Sequence, residues 1–149
     1  QAYRATTVLF DPAVDLALLR TDAPLGKQLS LDPSYVSRGT GGAVLGYPEN
    51  GPLTVAPAGV AALITAEGRD IYNHGLVTRR VYQIDSVIKP GNSGSPLLSA
   101  NGLVTGVVFS RSVADPVVGY ALASPDVLAE VDRAANRTSP VSTQGCAAG

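Results

Sequence analysis

Ile88-Lys89-Pro90-Gly91-Asn92-Ser93-Gly94-Ser95-Pro96-Leu97 is the stretch on which the reading of this chain turns. A serine hydroxyl attacks an amide carbonyl only when three conditions hold together. It must stand exposed on a tight turn, lie beside a base, and have backbone N–H groups aimed at the oxygen that gains charge. Pro90 fixes φ ahead of the turn, and Gly91 admits a conformation closed to other residues. Gly94 leaves room for a substrate backbone, and Ser95–Leu98 returns the chain to the core as a strand. Gly91, Asn92 and Ser93 form the expected oxyanion hole, through the N–H groups of Gly91 and Ser93; each such donor is worth roughly 10²–10³ in rate. Gly-Asn-Ser-Gly alone is equally a turn of an ordinary β protein, and it is the ten-residue extension that favours a nucleophile loop. The pattern also differs from the Gly-x-Ser-x-Gly elbow of α/β-hydrolases, because Ser95 holds the place of the last glycine.

Outward from this loop, apolar and β-branched runs recur between Gly, Pro, Asn and Asp. Strands are expected near Ala5–Phe10, Leu16–Arg20, Gly42–Gly46, Val55–Ala66, Leu76–Ile84, Ser95–Leu98, Leu103–Ser110 and Val118–Leu122. That rhythm favours an antiparallel barrel or sandwich over alternating βα units. Asn101-Gly102 predicts a hairpin after Leu98, since the pair readily takes positive φ. One helix is expected, from Ser124 to about Asn136. Ser124 can cap it, Pro125 suits its first position, Asp126 opposes the dipole, and Val127, Leu128, Val131 and Ala135 share a face. Residues 21–40 are turn-rich and read as a connection.

The bulk properties exclude several classes. With 149 residues, 45% apolar and 15% charged, the chain can build a packed core. A net charge of −1 without a basic stripe gives no reason to expect nucleic acid. No apolar run approaches the ~20 residues of a membrane helix, so no membrane contact by this chain is expected. One cysteine, Cys146, and one histidine, His74, offer no ligand set for a metal, and no cofactor is expected. A single cysteine reads either as a free thiol or as a bridge to another chain.

Tyr82-Gln83-Ile84-Asp85-Ser86-Val87 followed by the loop to Pro96 resembles the nucleophile region of trypsin-like serine proteases of the bacterial HtrA type. Asp11-Pro12-Ala13-Val14-Asp15-Leu16-Ala17-Leu18-Leu19 resembles the segment bearing that family's triad aspartate. Gly46-Tyr47-Pro48 resembles its Gly-Tyr/Asn-Pro turn, and Gly102–Ser110 its substrate-binding strand. The similarities run in order from Asp11 to Ala123, and are closest to the membrane-anchored periplasmic serine proteases of mycobacteria linked to acid resistance.

The resemblance implies an all-β, chymotrypsin-like fold of two six-stranded antiparallel barrels with a C-terminal α-helix. Residues 1–20 would be a remainder of the N-terminal barrel, 21–40 the connection, 41–123 the C-terminal barrel, 124–137 the helix and 138–149 a tail. It implies a serine endopeptidase acting on protein or peptide through an acyl-enzyme, with Ser93 as nucleophile and Asp15 orienting the base. Asp11 is the rival acid and reads better as a turn residue. The family order is His, Asp, Ser, so His74, between Asp15 and Ser93, reads as an exposed loop histidine. The catalytic His is expected on an N-terminal segment not in this chain, which also offers a disulfide partner for Cys146 and implies an oxidising compartment such as the periplasm.

Phe109-Ser110-Arg111 would pair with extended substrate by β-augmentation. Val87 and Ile88, with Val118 and Tyr120 across Gly119, would line the specificity pocket; with no acidic residue there, a small or apolar side chain is favoured. Asn92 replaces the Asp of digestive members, so activation through a buried ion pair with a new α-amino group is not expected. The competing class is a peptide-binding β-barrel that kept the loop and lost its base.

Overall fold

The structure is a computed structural model and describes residues 2–146. Among the described residues eight strands and one α-helix follow one another: β1 (Ala5–Asp11), β2 (Leu16–Thr21), β3 (Gly41–Gly46), β4 (Thr54–Arg69), β5 (Leu76–Asp85), β6 (Pro96–Ser99), β7 (Val104–Arg111), β8 (Val118–Ala123) and α1 (Ser124–Ala134). A one-turn 3-10 helix, Pro48–Asn50, lies between β3 and β4. The chain divides into two compact units, one of Gln1–Gln28, Gly68–Val77 and Ala129–Gly149, the other of Leu29–Glu67 and Thr78–Leu128. The first unit therefore takes the β4–β5 tip and the end of the chain as well as the N-terminal strands, which sequence spacing alone does not indicate.

In the first unit β1 and β2 form a two-stranded antiparallel sheet, paired from Ala5↔Thr21 to Asp11↔Leu16. A bulge at Val8 lets Val8 and Leu9 both be buried. Val141 donates its N–H to the Thr7 carbonyl at 2.9 Å, and the Tyr72 hydroxyl donates to the Thr143 carbonyl at 2.8 Å. These bonds hold Val141 and Thr143 onto the hairpin and the β4–β5 tip.

In the second unit six antiparallel strands close into a barrel in the order β3-β4-β5-β8-β7-β6. Alternation of apolar and polar residues along each strand puts Val44, Val60, Tyr82, Ile84, Leu97, Val108 and Ala121 on the inside. Each fully buried aliphatic side chain here contributes roughly 1.5–3 kcal/mol. Tyr82 is the largest of the core residues, and its hydroxyl accepts the Val36 N–H at 2.9 Å. Burial pushes that hydroxyl up from its ordinary pKa, with the carboxylates of Asp32 and Asp126 acting in the same direction and the Val36 bond opposing. Part of the connecting segment thus joins the core: Val36 packs on it, and Leu31 makes a single parallel bridge to Val104.

Two expectations change. The helix ends at Ala134, short of the expected 136 or 137, because the N–H groups of Ala135 and Arg137 reach the Asp132 and Ala134 carbonyls in tighter, three-residue turns. The Ser124 hydroxyl donates to the Asp32 carbonyl at 2.6 Å, so it ties the helix start to the connecting segment.

Candidate active site

The loop between β5 and β6 carries the candidate nucleophile. Gly91 and Gly94 take φ of 92° and 83°, the conformations that their lack of Cβ permits. Between them Asn92 is buried and Ser93 exposed. The turn is closed by Asn92 N–H to the Lys89 carbonyl at 3.0 Å and Ser95 N–H to the Asn92 carbonyl at 3.0 Å. It is fastened to β7 by Gly94 N–H to Val108 at 2.7 Å and Val108 N–H to Ser95 at 2.9 Å.

Within this network the N–H groups of Asn92, Gly94 and Ser95 are engaged. Among the described residues no backbone carbonyl accepts those of Gly91 and Ser93. Two uncommitted donors flanking an exposed hydroxyl are what an oxyanion site requires. Asn92, grouped with them in the sequence, differs: its N–H is turned to Lys89 and its side chain is buried, so it supports the loop from within. The Ser93 hydroxyl donates to the Phe109 carbonyl, a long contact at 3.4 Å.

Phe109 is the extra residue of a bulge in β7, where the register shifts between Val108 and Ser110. β6 pairs with β7 only as far as Val107, while β8 continues alongside to Arg111. Phe109, Ser110 and Arg111 are therefore backed by β8 on one edge and begin a free edge beside Ser93. Such an edge accepts an added strand. Ile88, in the loop after β5, is buried against Gly119 of β8: a Cβ at Gly119 would lie 2.4 Å from Ile88 Cγ1. Val118 and Tyr120 flank this contact half-buried, whereas Val87 is exposed.

Asp15, His74 and Cys146 belong to the first unit. The four residues Pro12–Asp15 join β1 to β2, and Asp11 Oδ1 accepts the N–H groups of Ala13 at 2.9 Å and Val14 at 3.2 Å. Asp11 is thereby a turn residue. Asp15 closes the loop in the left-handed region at φ 64° and is exposed. His74 is exposed in the β4–β5 turn, its ring stacked on Tyr72 with centroids 5.6 Å apart. Cys146 is a free, exposed thiol.

The turn after β3 is a participant that sequence reading noticed only as a resemblance. Glu49 N–H donates to the Pro90 carbonyl at 2.7 Å, and the Lys89 ammonium meets the Glu49 carboxylate at 3.3 Å. A Cβ on Gly91 would come within 2.9 Å of the Tyr47 carbonyl oxygen and 3.0 Å of Glu49 N. Glu49 and Asn50 both adopt positive φ, 56° and 58°. Neither is a glycine, although Pro48, Asn50 and Gly51 are turn-forming residues and asparagine tolerates this region.

The family pattern of the trypsin-like peptidase domain matches residues 1–107, a span that includes both Asp15 and Ser93. The chain belongs to this family. The trypsin-like domain is 36% identical to the serine protease Rv3671c of Mycobacterium tuberculosis over 145 residues, 97% of this chain and 36% of that protein. The crystal structure of the active form of that protease superposes with a TM-score of 0.91, covering 97% of this chain and 63% of the other. A probable periplasmic, DegP-like serine endoprotease of a Marinomonas species is 32% identical over 88% of this chain and 28% of its own length. The HtrA-type protease AlgW bound to a decapeptide superposes with a TM-score of 0.72 at 27% identity, over 88% of this chain and 40% of that one. The chain thus spans about a third of the length of these curated relatives. The β3–β8 barrel with its C-terminal helix is the chymotrypsin-like architecture that the resemblance implies. Among the described residues no helix is long and apolar enough to cross a membrane.

Proposed function

We propose that this chain is the nucleophile-bearing part of a trypsin-like serine endopeptidase of the HtrA type. One observation carries the reading: Ser93 is exposed, and the N–H groups of Gly91 and of Ser93 itself are accepted by no backbone carbonyl among the described residues. A peptide laid along Phe109–Arg111 brings its scissile carbonyl to Ser93. The hydroxyl loses its proton to an imidazole and adds to the carbonyl carbon, and the oxygen that gains charge is held by the two N–H groups. Collapse expels the amine, which takes the proton back from the imidazole, and water then hydrolyses the acyl-enzyme by the same path.

The imidazole comes from an N-terminal segment of the same protease, with Asp15 fixing its tautomer. Ile88 closing on Gly119 supports a small or apolar side chain in the specificity pocket. A periplasmic or extracytoplasmic location, with anchoring through a segment elsewhere in the protein, agrees with the resemblance, and the exposed Cys146 thiol is available there for a disulfide with that other segment.

The test is labelling of the full-length protein by a fluorophosphonate probe, with Ser93→Ala as control. Label on Ser93 and hydrolysis lost in the variant support the reading. A full-length protein that leaves Ser93 unlabelled yet binds extended peptides would instead be a peptide-binding barrel.

A further inference from the structure

The nucleophile loop rests on a single unadorned Cα. Gly46 ends β3, and an ideal Cβ there would lie 2.3 Å from Ser95 Oγ, 3.1 Å from Asn92 Oδ1 and 3.3 Å from Ser95 Cβ. Ser95 and Asn92 are both buried, at 7% and 3% exposure, and they bracket Ser93 in sequence. The 2.3 Å separation leaves no room for a methyl group, since real Cβ contacts almost never fall below 3.0 Å, and at 3.1 and 3.3 Å Asn92 Oδ1 and Ser95 Cβ would have to give by a few tenths of an ångström. Asn92 Oδ1 is buried and has no hydrogen-bond partner among the described residues.

From this contact we infer that Gly46 is a positioning residue, the seat that fixes the height of the nucleophile loop. The inference rests on the protease reading of Ser93. The loop moves as one body, because Ser95 N–H bonds the Asn92 carbonyl and the loop is tied to β7 at Gly94 and Ser95. A displacement of Asn92 or Ser95 is therefore transmitted to Ser93 between them. The residues that follow Gly46 support the neighbouring half of the loop: the Tyr47 carbonyl and Glu49 N abut Gly91, and Glu49 N–H holds the Pro90 carbonyl. One strand end thus sets both the nucleophile and the residue carrying the first oxyanion donor. Gly46 touches no reacting atom; it acts through Asn92 and Ser95.

The experiment is Gly46→Ala in the full-length protease, alone and combined with Ser95→Ala, which removes the nearest opposing atom. Displacement of reacting groups by about 1 Å lowers turnover on the order of 10²-fold. The single variant should therefore lose roughly that much in kcat with KM changed less than about threefold. Its circular dichroism should match the parent. The double variant should recover at least tenfold of the loss, a rescue that a merely structural role would not give. Folded Gly46→Ala with the parent kcat overturns the inference, and so does a double variant as impaired as the single one. If Gly46→Ala alone does not accumulate as folded protein, adding Ser95→Ala must restore folding; failure to do so overturns it equally. Labelling of the parent at Ser93 separates the two levels. An unlabelled parent refutes the protease reading and this inference with it, whereas a labelled parent with an unimpaired Gly46→Ala refutes the seat alone.

Discussion

Replacing Gly91 with alanine tests the oxyanion arrangement directly. A non-glycine residue at φ 92° costs on the order of 1–3 kcal/mol. The added methyl would also sit 2.9 Å from the Tyr47 carbonyl oxygen and 3.0 Å from Glu49 N. Both obstacles are backbone atoms, and Glu49 N is held by its 2.7 Å bond to Pro90, so neither yields easily. The alternative is to rotate the Pro90–Gly91 peptide. That rotation returns φ to negative values at the cost of the Glu49–Pro90 hydrogen bond, worth a net ~1 kcal/mol. Strain and crowding together exceed that loss, so the rotated loop should win. In it the Gly91 N–H points away, and one oxyanion donor is lost, about 2.7–4 kcal/mol of transition-state stabilisation or 10²–10³ in kcat. The assay is kcat and KM on a chromogenic peptide with the full-length enzyme, alongside thermal unfolding. A folded Gly91→Ala enzyme within threefold of the parent kcat would refute the argument.

Three other substitutions follow from the geometry. Gly94 also has positive φ, but nothing lies within 4 Å of where its Cβ would be, so Gly94→Ala pays only backbone strain and should disturb substrate approach more than the fold; steady-state kinetics should show KM raised more than kcat is lowered. Asp15→Asn should reduce kcat on the order of 10⁴ through the wrong imidazole tautomer, whereas Asp11→Asn keeps an oxygen for the Ala13 and Val14 N–H groups and should stay within a few-fold of the parent; equal losses in the two would remove Asp15 from the triad. Tyr82→Phe strands the Val36 N–H in the core and should destabilise by roughly 1–3 kcal/mol in urea unfolding. The same residue gives an alkaline signature. Its pKa is raised in the folded state, so its contribution is complete below pH 10, the ordinary value, and is lost as pH climbs through the higher folded value; the Phe variant should lack that component of the alkaline transition.

Much of the barrel was legible because strand formation here depends on local pattern. Each of the eight strands falls within three residues of its expected bounds, since β-branched alternation marks the interior and Gly, Pro and Asn mark the ends. The helix was over-read at its C-terminus because Ala135 continues the apolar face. Whether that residue joins the α-helix is decided by bonding in the last turn, where Ala135 and Arg137 reach back three residues. Asp15 was read as the triad acid from the resemblance of the Asp11–Leu19 segment, which says nothing of its backbone conformation or exposure. Its positive φ and exposure come from closing the Pro12–Asp15 loop, for which the short distance between Asp11 and Leu16 is the cause.

The nucleophile loop shows where legibility stops. Gly91 could be assigned because positive φ restricts residue type, so conformation leaves a mark on composition; Gly94, read as room for a substrate backbone, has positive φ as well. Glu49 and Asn50 hold equally unusual φ without glycine, since bonds from Glu49 to Pro90 and from Gly51 to Pro48 impose it. One of these two determinants, Pro90, lies some forty residues away in sequence. Gly46 is more deceptive: as the final residue of a barrel strand it reads as an ordinary terminus, and only the packing of Asn92 and Ser95 on its Cα reveals why a side chain is excluded. A loop of this kind is therefore encoded twice, once in the residues that must bend and once in the distant residues that must be small enough to receive it. Transplanting Gly91–Ser95 alone into another barrel should reproduce the turn but not the height of Ser93, because the second half of the specification stays behind with Gly46.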